Sequence, residues 1–122
     1  MEFRTIVNIE SPMWRIEPFE RLLLVGSCFA QNMGDKFSEA QFPTVTNPFG
    51  VMYNPFSILH TVQRWESVAD VVVLTLGTNH VYVERATGKI VDNCAKRPQK
   101  VFKEKQLSIS ECTDCLHEVI KI

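Results

Sequence analysis

Long hydrophobic runs are missing from this 122-residue chain. The longest, at residues 22–25 and 71–74, fall far short of the roughly 20 apolar residues that a membrane-spanning helix needs, and no basic segment leading into a long apolar stretch marks a secretory leader. A membrane partner is therefore not expected, and the chain reads as soluble and cytoplasmic. Charge imbalance is missing too: 13 Lys and Arg stand against 14 Asp and Glu, a net charge of −1. Such a chain has no basic stripe with which to neutralise phosphates, so nucleic acid is not an expected partner. Cysteine is sparse. Cys28, Cys94, Cys112 and Cys115 could close two disulfides, but a chain with 45% hydrophobic residues does not need staples, and reduced thiols are expected. Repeats and low-complexity segments are also absent, which leaves one small domain with its own core as the expected organisation.

What the chain does have is a sharp joint near its start. Arg21-Leu22-Leu23-Leu24-Val25 runs into Gly26-Ser27-Cys28-Phe29-Ala30. The apolar run reads as a strand buried on both faces, the glycine as a tight turn, and the residues after it as an amphipathic helix with Phe29, Met33, Phe37 and Ala40 at helical spacing. Ser27 and Cys28, both able to act as nucleophiles, fall where a helix N-terminus leaves backbone N–H groups unpaired. That environment stabilises a thiolate or a developing oxyanion.

Residues 3–9 are β-prone and precede Pro12 and Pro18, so an edge strand or extended arm is expected there, anchored by Trp14 and Phe19. Thr44-Val45-Thr46 leads into a loop, residues 47–55, dense in turn formers and aromatics. Asn54-Pro55 supplies an N-cap and a first-turn proline for a helix burying Ile58, Leu59, Val62 and Trp65. A second apolar strand, residues 71–74, ends in Thr75-Leu76-Gly77-Thr78-Asn79-His80. Two buried strands joined through helical segments predict parallel pairing and an α/β fold, with ligands bound beyond the carboxyl ends of the strands. Val81-Tyr82-Val83-Glu84 and Lys89-Ile90-Val91-Asp92 flank a turn and predict a hairpin, followed by a loop over Asn93-Cys94-Ala95-Lys96-Arg97-Pro98. Ser108-Ile109-Ser110-Glu111 is a capping box opening a helix with an apolar stripe of Cys112, Cys115, Leu116, Val119 and Ile122.

Some motifs have plainer readings. Cys112-Thr113-Asp114-Cys115 has the spacing of a metal knuckle or redox dithiol, but no second ligand pair accompanies it and both thiols lie on the apolar stripe, so core packing is expected and no metal or other cofactor is assigned. Asp114-x-x-His117 matches a hydrolase spacing, yet it falls on the polar face of its helix. His60 reads as a packed or surface histidine. His80, directly after a glycine turn at a strand end, is either a polar loop residue or part of a binding site. The 47–54 loop is either a packed aromatic turn or a source of donors, with the Gly50 N–H and the Asn54 amide facing a cleft beside Cys28.

Gly26-Ser27-Cys28-Phe29-Ala30 is the five-residue signature of the GSCFA domain family, and Asn47-Pro48-Phe49-Gly50-Val51-Met52-Tyr53-Asn54-Pro55, Thr75-Leu76-Gly77-Thr78 and Asn93-Cys94-x-Lys96-x-Pro98 resemble its other segments in the same order. That family resembles in fold the SGNH (GDSL-type) hydrolases. The resemblance implies a three-layer sandwich around a mostly parallel sheet, related to the flavodoxin-like folds, of which residues 1–122 would form the N-terminal, incomplete part of a single domain. Laid over the hydrolase pattern, the nucleophile position falls on Cys28, with Ser27 in the preceding place shaping the turn and capping the helix. Gly77-Thr78-Asn79-His80 falls on the block whose asparagine is an oxyanion donor, which implies Asn79 in that role and Gly50 as the other donor. The implied activity is that of an esterase or acyltransferase acting on a small-molecule or carbohydrate acyl ester. The alternative implied is a non-catalytic carbohydrate- or acyl-binding module. The later Asp-x-x-His of the hydrolases has no counterpart, because Asp114 and His117 come too early. Little turnover is therefore expected from this chain itself, and self-association is expected through an uncovered surface.

Overall fold

In the computed structural model, residues 3–91 and 102–122 are described. Three strands form a parallel sheet: β1 (Leu22–Val25), β2 (Thr44–Thr46) and β3 (Val71–Leu74), in the order β2-β1-β3. Leu22 pairs with Thr44 on one side and with Val71 on the other. The central strand has neighbours on both edges and both faces, which is why it is uninterrupted aliphatic; all four of its side chains are buried.

Helix α1 (Cys28–Glu39) connects β1 to β2, and α2 (Pro55–Arg64) connects β2 to β3. Leu23 and Val25 pack in one cluster with Met52, Ile58 and Leu59, closed by Cys115 and Val119 of α3 (Ile109–Lys121). Strand alternation sends Leu22 and Leu24 to the opposite face, where α1 lies against β1 and β2. The α/β class expected from the two apolar runs is thus observed.

A second, antiparallel sheet follows in the order β5-β4-β6, from β4 (His80–Glu84), β5 (Ile90–Val91) and β6 (Phe102–Gln106). The hairpin expected after His80 is β4 and β5. Asp92 and the Asn93–Pro98 segment lie outside the described residues. β6 has no apolar alternation to announce it, since Lys103-Glu104-Lys105 are exposed and only Phe102 is buried.

Two local expectations change. Trp14 and Phe19 do not anchor the N-terminal arm: residues 3–15 are exposed and form no strand, and the two aromatics are 68% and 79% exposed. The buried stripe of α1 is also displaced by one residue from Phe29 and Met33, to Ala30 and Gly34 with Phe37 half-buried. The reason is how near α1 approaches β2. A Cβ at Gly34 would overlap the Thr46 side chain, with Thr46 Cγ2 only 2.8 Å away, so the helix must turn its small residues inward. The C-terminal expectations hold except at Ile122, which is 64% exposed where the stripe placed it inside. Ser108 and Glu111 form a reciprocal capping box, and Cys115 is buried, with its thiol pushed up to about 11 by desolvation.

Candidate active site at the end of the parallel sheet

After β1 the chain goes to β2 on one side and then crosses to β3 on the other, so the strand order reverses about β1. In open parallel sheets the crevice at such a switch point, beyond the carboxyl ends of the strands, is where ligands bind. Ser27 and Cys28 follow β1 at this place, and residues 75–79 follow β3.

The joint is held from three sides. Thr75 Oγ1 accepts the Ser27 N–H at 3.2 Å, and its side chain occupies the space a Cβ at Gly26 would need. Asn47 Oδ1 accepts the Gly26 N–H at 2.8 Å, while the Asn47 N–H donates to Leu24 O at 2.8 Å and the Met52 N–H to Gly26 O at 2.9 Å. These bonds strap the 47–53 loop across the end of β1. Gly77 and Thr78 then both donate to Tyr53 O at 2.9 Å, which ties that loop to the one after β3.

Ser27 is the N-cap of α1, its Oγ accepting from the Phe29 N–H at 3.3 Å. Its oxygen is therefore occupied in ending the helix. Cys28 opens the helix and is exposed. Its Sγ lies 3.7 Å from the Tyr53 hydroxyl, the partner of that sulfur among the described residues. Hydrogen bonding to Cys28, reinforced by its charge when ionised, raises the Tyr53 pKa above the ordinary phenol value, with a smaller contribution from desolvation. The phenol thus keeps its proton at neutral pH, and either group can be the donor in this contact.

The expected oxyanion donors are placed as follows. The Gly50 N–H donates to Asn47 O at 2.9 Å, closing a tight turn with Pro48 in its second position. Asn79 Nδ2 donates to Leu107 O at 2.9 Å while the Leu107 N–H donates back to Asn79 O at 2.8 Å, extending the β4–β6 ladder by one step. Asn54 is the N-cap of α2, its Oδ1 accepting the Ser57 N–H at 2.9 Å. Each is thus engaged within the fold. The first turn of α1, where N–H groups have no intrahelical acceptors, lies next to Cys28 itself.

A cleft of about 310 Å³ adjoins Tyr53 and Asn54. His80 and Glu104 also line it, with His80 Nδ1 2.6 Å from Glu104 Oε1. Sequence reasoning found Cys28, Ser27, Asn54 and His80 at this end of the molecule but missed Tyr53, Thr75 and Glu104. Glu104 could not have been found without the β4–β6 register. Tyr53 could have been, since it stands in the loop already singled out. Asp114 and His117 are exposed on α3, as their position on the polar face predicts. Among the described residues no cluster of three metal-ligating side chains occurs, and no helix is long and apolar enough to cross a membrane.

Comparison with known proteins gives one match: the model of the GSCFA family covers residues 21–68 and 61–122. No curated protein and no solved structure matches the chain.

Proposed function

Because the chain belongs to the GSCFA family, and because its signature cysteine opens a helix at the switch point of a parallel sheet, we propose that it serves thiol-dependent acyl chemistry on esters, in the manner of an SGNH-like esterase or acyltransferase. The three-layer sandwich of those enzymes is part of this proposal. So is the reading of residues 1–122 as the N-terminal part of one such domain.

The observation that carries it is the exposed Cys28 Sγ beside the Tyr53 hydroxyl, at 3.7 Å. In the proposed reaction the sulfur attacks the acyl carbon, the S–C bond forms as the C–O bond breaks, and the alcohol leaves with a proton. Water or a second alcohol then displaces the thiolate from the thioester. First-turn N–H groups of α1 other than that of Phe29, which Ser27 Oγ holds, serve as donors for the oxyanion. Gly50 and Asn79 join them only by giving up the bonds described above. Ser27 supports Cys28 by capping the helix.

Labelling with iodoacetamide and with a fluorophosphonate tests the reading. Iodoacetamide is expected to modify Cys28 in the parent chain. No labelling above that of a Cys28→Ala/Ser27→Ala double variant would overturn it.

The second reading, a carbohydrate- or acyl-binding module without turnover, is favoured by one observation. Both expected oxyanion donors are engaged elsewhere, and the cysteine is bonded by a tyrosine, not a histidine. It predicts ester cleavage no faster than that of the double variant.

A further inference from the structure

The cleft beside Tyr53 contains a group that the fold leaves without a partner. Ser57 is 1% exposed and lines the cleft, and its Oγ makes no hydrogen bond among the described residues. Its backbone is fully engaged: the N–H goes to Asn54 Oδ1 and the carbonyl accepts from Thr61 Oγ1 at 3.0 Å. A buried hydroxyl without a partner is unfavourable unless something in the cleft pairs with it.

The opposite wall offers complementary chemistry. Antiparallel pairing sets Tyr82 directly across from Glu104, with His80 two residues along β4, so these three side chains share one face. Glu104 holds His80 by Nδ1, which leaves Nε2 as the imidazole atom for a ligand. Tyr53 and Tyr82 add aromatic walls with polar ends. Among the described residues no lysine or arginine lines the cleft, and the one carboxylate that does, Glu104, would repel an anion.

We propose that this cleft binds a neutral, hydroxyl-bearing group, a small alcohol or polyol, through the Ser57 hydroxyl on one side and the Glu104-held His80 on the other. As the seat of the alcohol portion of an ester it rests on the reading above. As a binding site it stands on the unpaired hydroxyl and the His80–Glu104 pair.

The test is amide chemical-shift titration of the ¹⁵N-labelled full chain carrying Cys28→Ala, so that turnover plays no part. Methyl β-D-glucopyranoside is the neutral probe and inorganic phosphate the anionic one. Saturable shifts at Tyr53, Ser57 and His80 are expected with the glucoside and not with phosphate. Ser57→Ala and His80→Phe are each expected to weaken binding by roughly fivefold, as the loss of one hydrogen bond implies. Urea unfolding of Ser57→Ala, expected at the parent concentration or higher because it removes an unpaired buried hydroxyl, separates lost binding from lost folding. Shifts with phosphate alone, no saturable shifts with either probe, or unchanged affinity in both variants would overturn the proposal. Glucoside binding by a chain whose native Cys28 resists labelling would overturn the catalytic reading and leave this one standing.

Discussion

At Asn47 the backbone enters the left-handed region (φ 44°) while Oδ1 accepts the Gly26 N–H and Nδ2 donates to Gln31 Oε1 at 3.2 Å. Asparagine suits both demands, since its short amide tolerates that conformation and reaches neighbouring backbone. Asn47→Ala removes the acceptor of a buried N–H and places a less tolerant residue at positive φ, a loss of about 2–4 kcal/mol in urea unfolding. Asn47→Asp keeps the acceptor and is expected to lose less. Ser27→Ala removes the cap of α1 and is expected to cost about 1 kcal/mol by the same measurement, while Cys28 continues to label. Tyr53→Phe deletes the hydroxyl beside the sulfur. The rate of iodoacetamide labelling of Cys28 is expected to change roughly fivefold, as the loss of one hydrogen bond of about 1 kcal/mol implies; an unchanged rate would show that the contact does not hold the sulfur. Ser27 and Cys28 could be located from sequence because they interrupt an apolar run. The tasks of Asn47 and Glu104 could not be, because each depends on contacts with residues distant in sequence.

Elements were legible wherever local chemistry and burial agree. The Asn54-Pro55 start of α2, the Ser108–Glu111 box of α3 and the buried strand β1 are cases of this kind, whereas β3, expected to be equally buried, lies at the sheet edge half-buried with Val72 48% exposed. Legibility failed where packing overruled pattern. The periodicity of α1 points to Phe29 and Met33, yet close approach to Thr46 selects the face carrying Ala30 and Gly34. β6 is hidden because its charged side chains stand in solvent and its pairing with β4 is what makes it a strand. Gly34→Ala weighs two effects against each other. Alanine in a helix interior gains about 1 kcal/mol over glycine, but overlap with Thr46 forces α1 from β2 at about 1–3 kcal/mol. Net destabilisation is expected. A raised urea midpoint would show that the helix can shift freely.

At the scale of the whole molecule, Arg21 clasps Asp70 across the starts of β1 and β3, with Arg21 Nε 2.9 Å from Asp70 Oδ2 and the Arg21 backbone N–H at 2.8 Å from the same oxygen. The guanidinium hydrogen bond, then the backbone N–H, hold the Asp70 carboxyl down from its ordinary 3.8 to about 2. A depressed carboxyl stabilises the fold above the unfolded value and loses that contribution as pH falls through the folded one. The clasp therefore supports the fold above pH 3.8 and releases it towards pH 2. Asp70→Asn is expected to flatten the pH dependence of unfolding across that interval. The arm at residues 3–15 is exposed, and Phe3, Ile6, Ile9 and Met13 there are apolar, while β2 and β3 each leave one edge of the parallel sheet unpaired among the described residues. Concentration-dependent association is expected in light scattering, and a monodisperse monomer would contradict it.

The Thr75 side chain occupies the space that any residue larger than glycine would claim at position 26, and its hydroxyl also receives the Ser27 N–H. Sequence change at one of these two segments is thereby constrained by the other. A lineage can drift freely along the exposed arm, but it cannot enlarge residue 26 without reshaping the segment 49 positions away that meets it. The glycine that opens this joint is held to its size by that mutual exclusion, whatever ligand the site comes to bind.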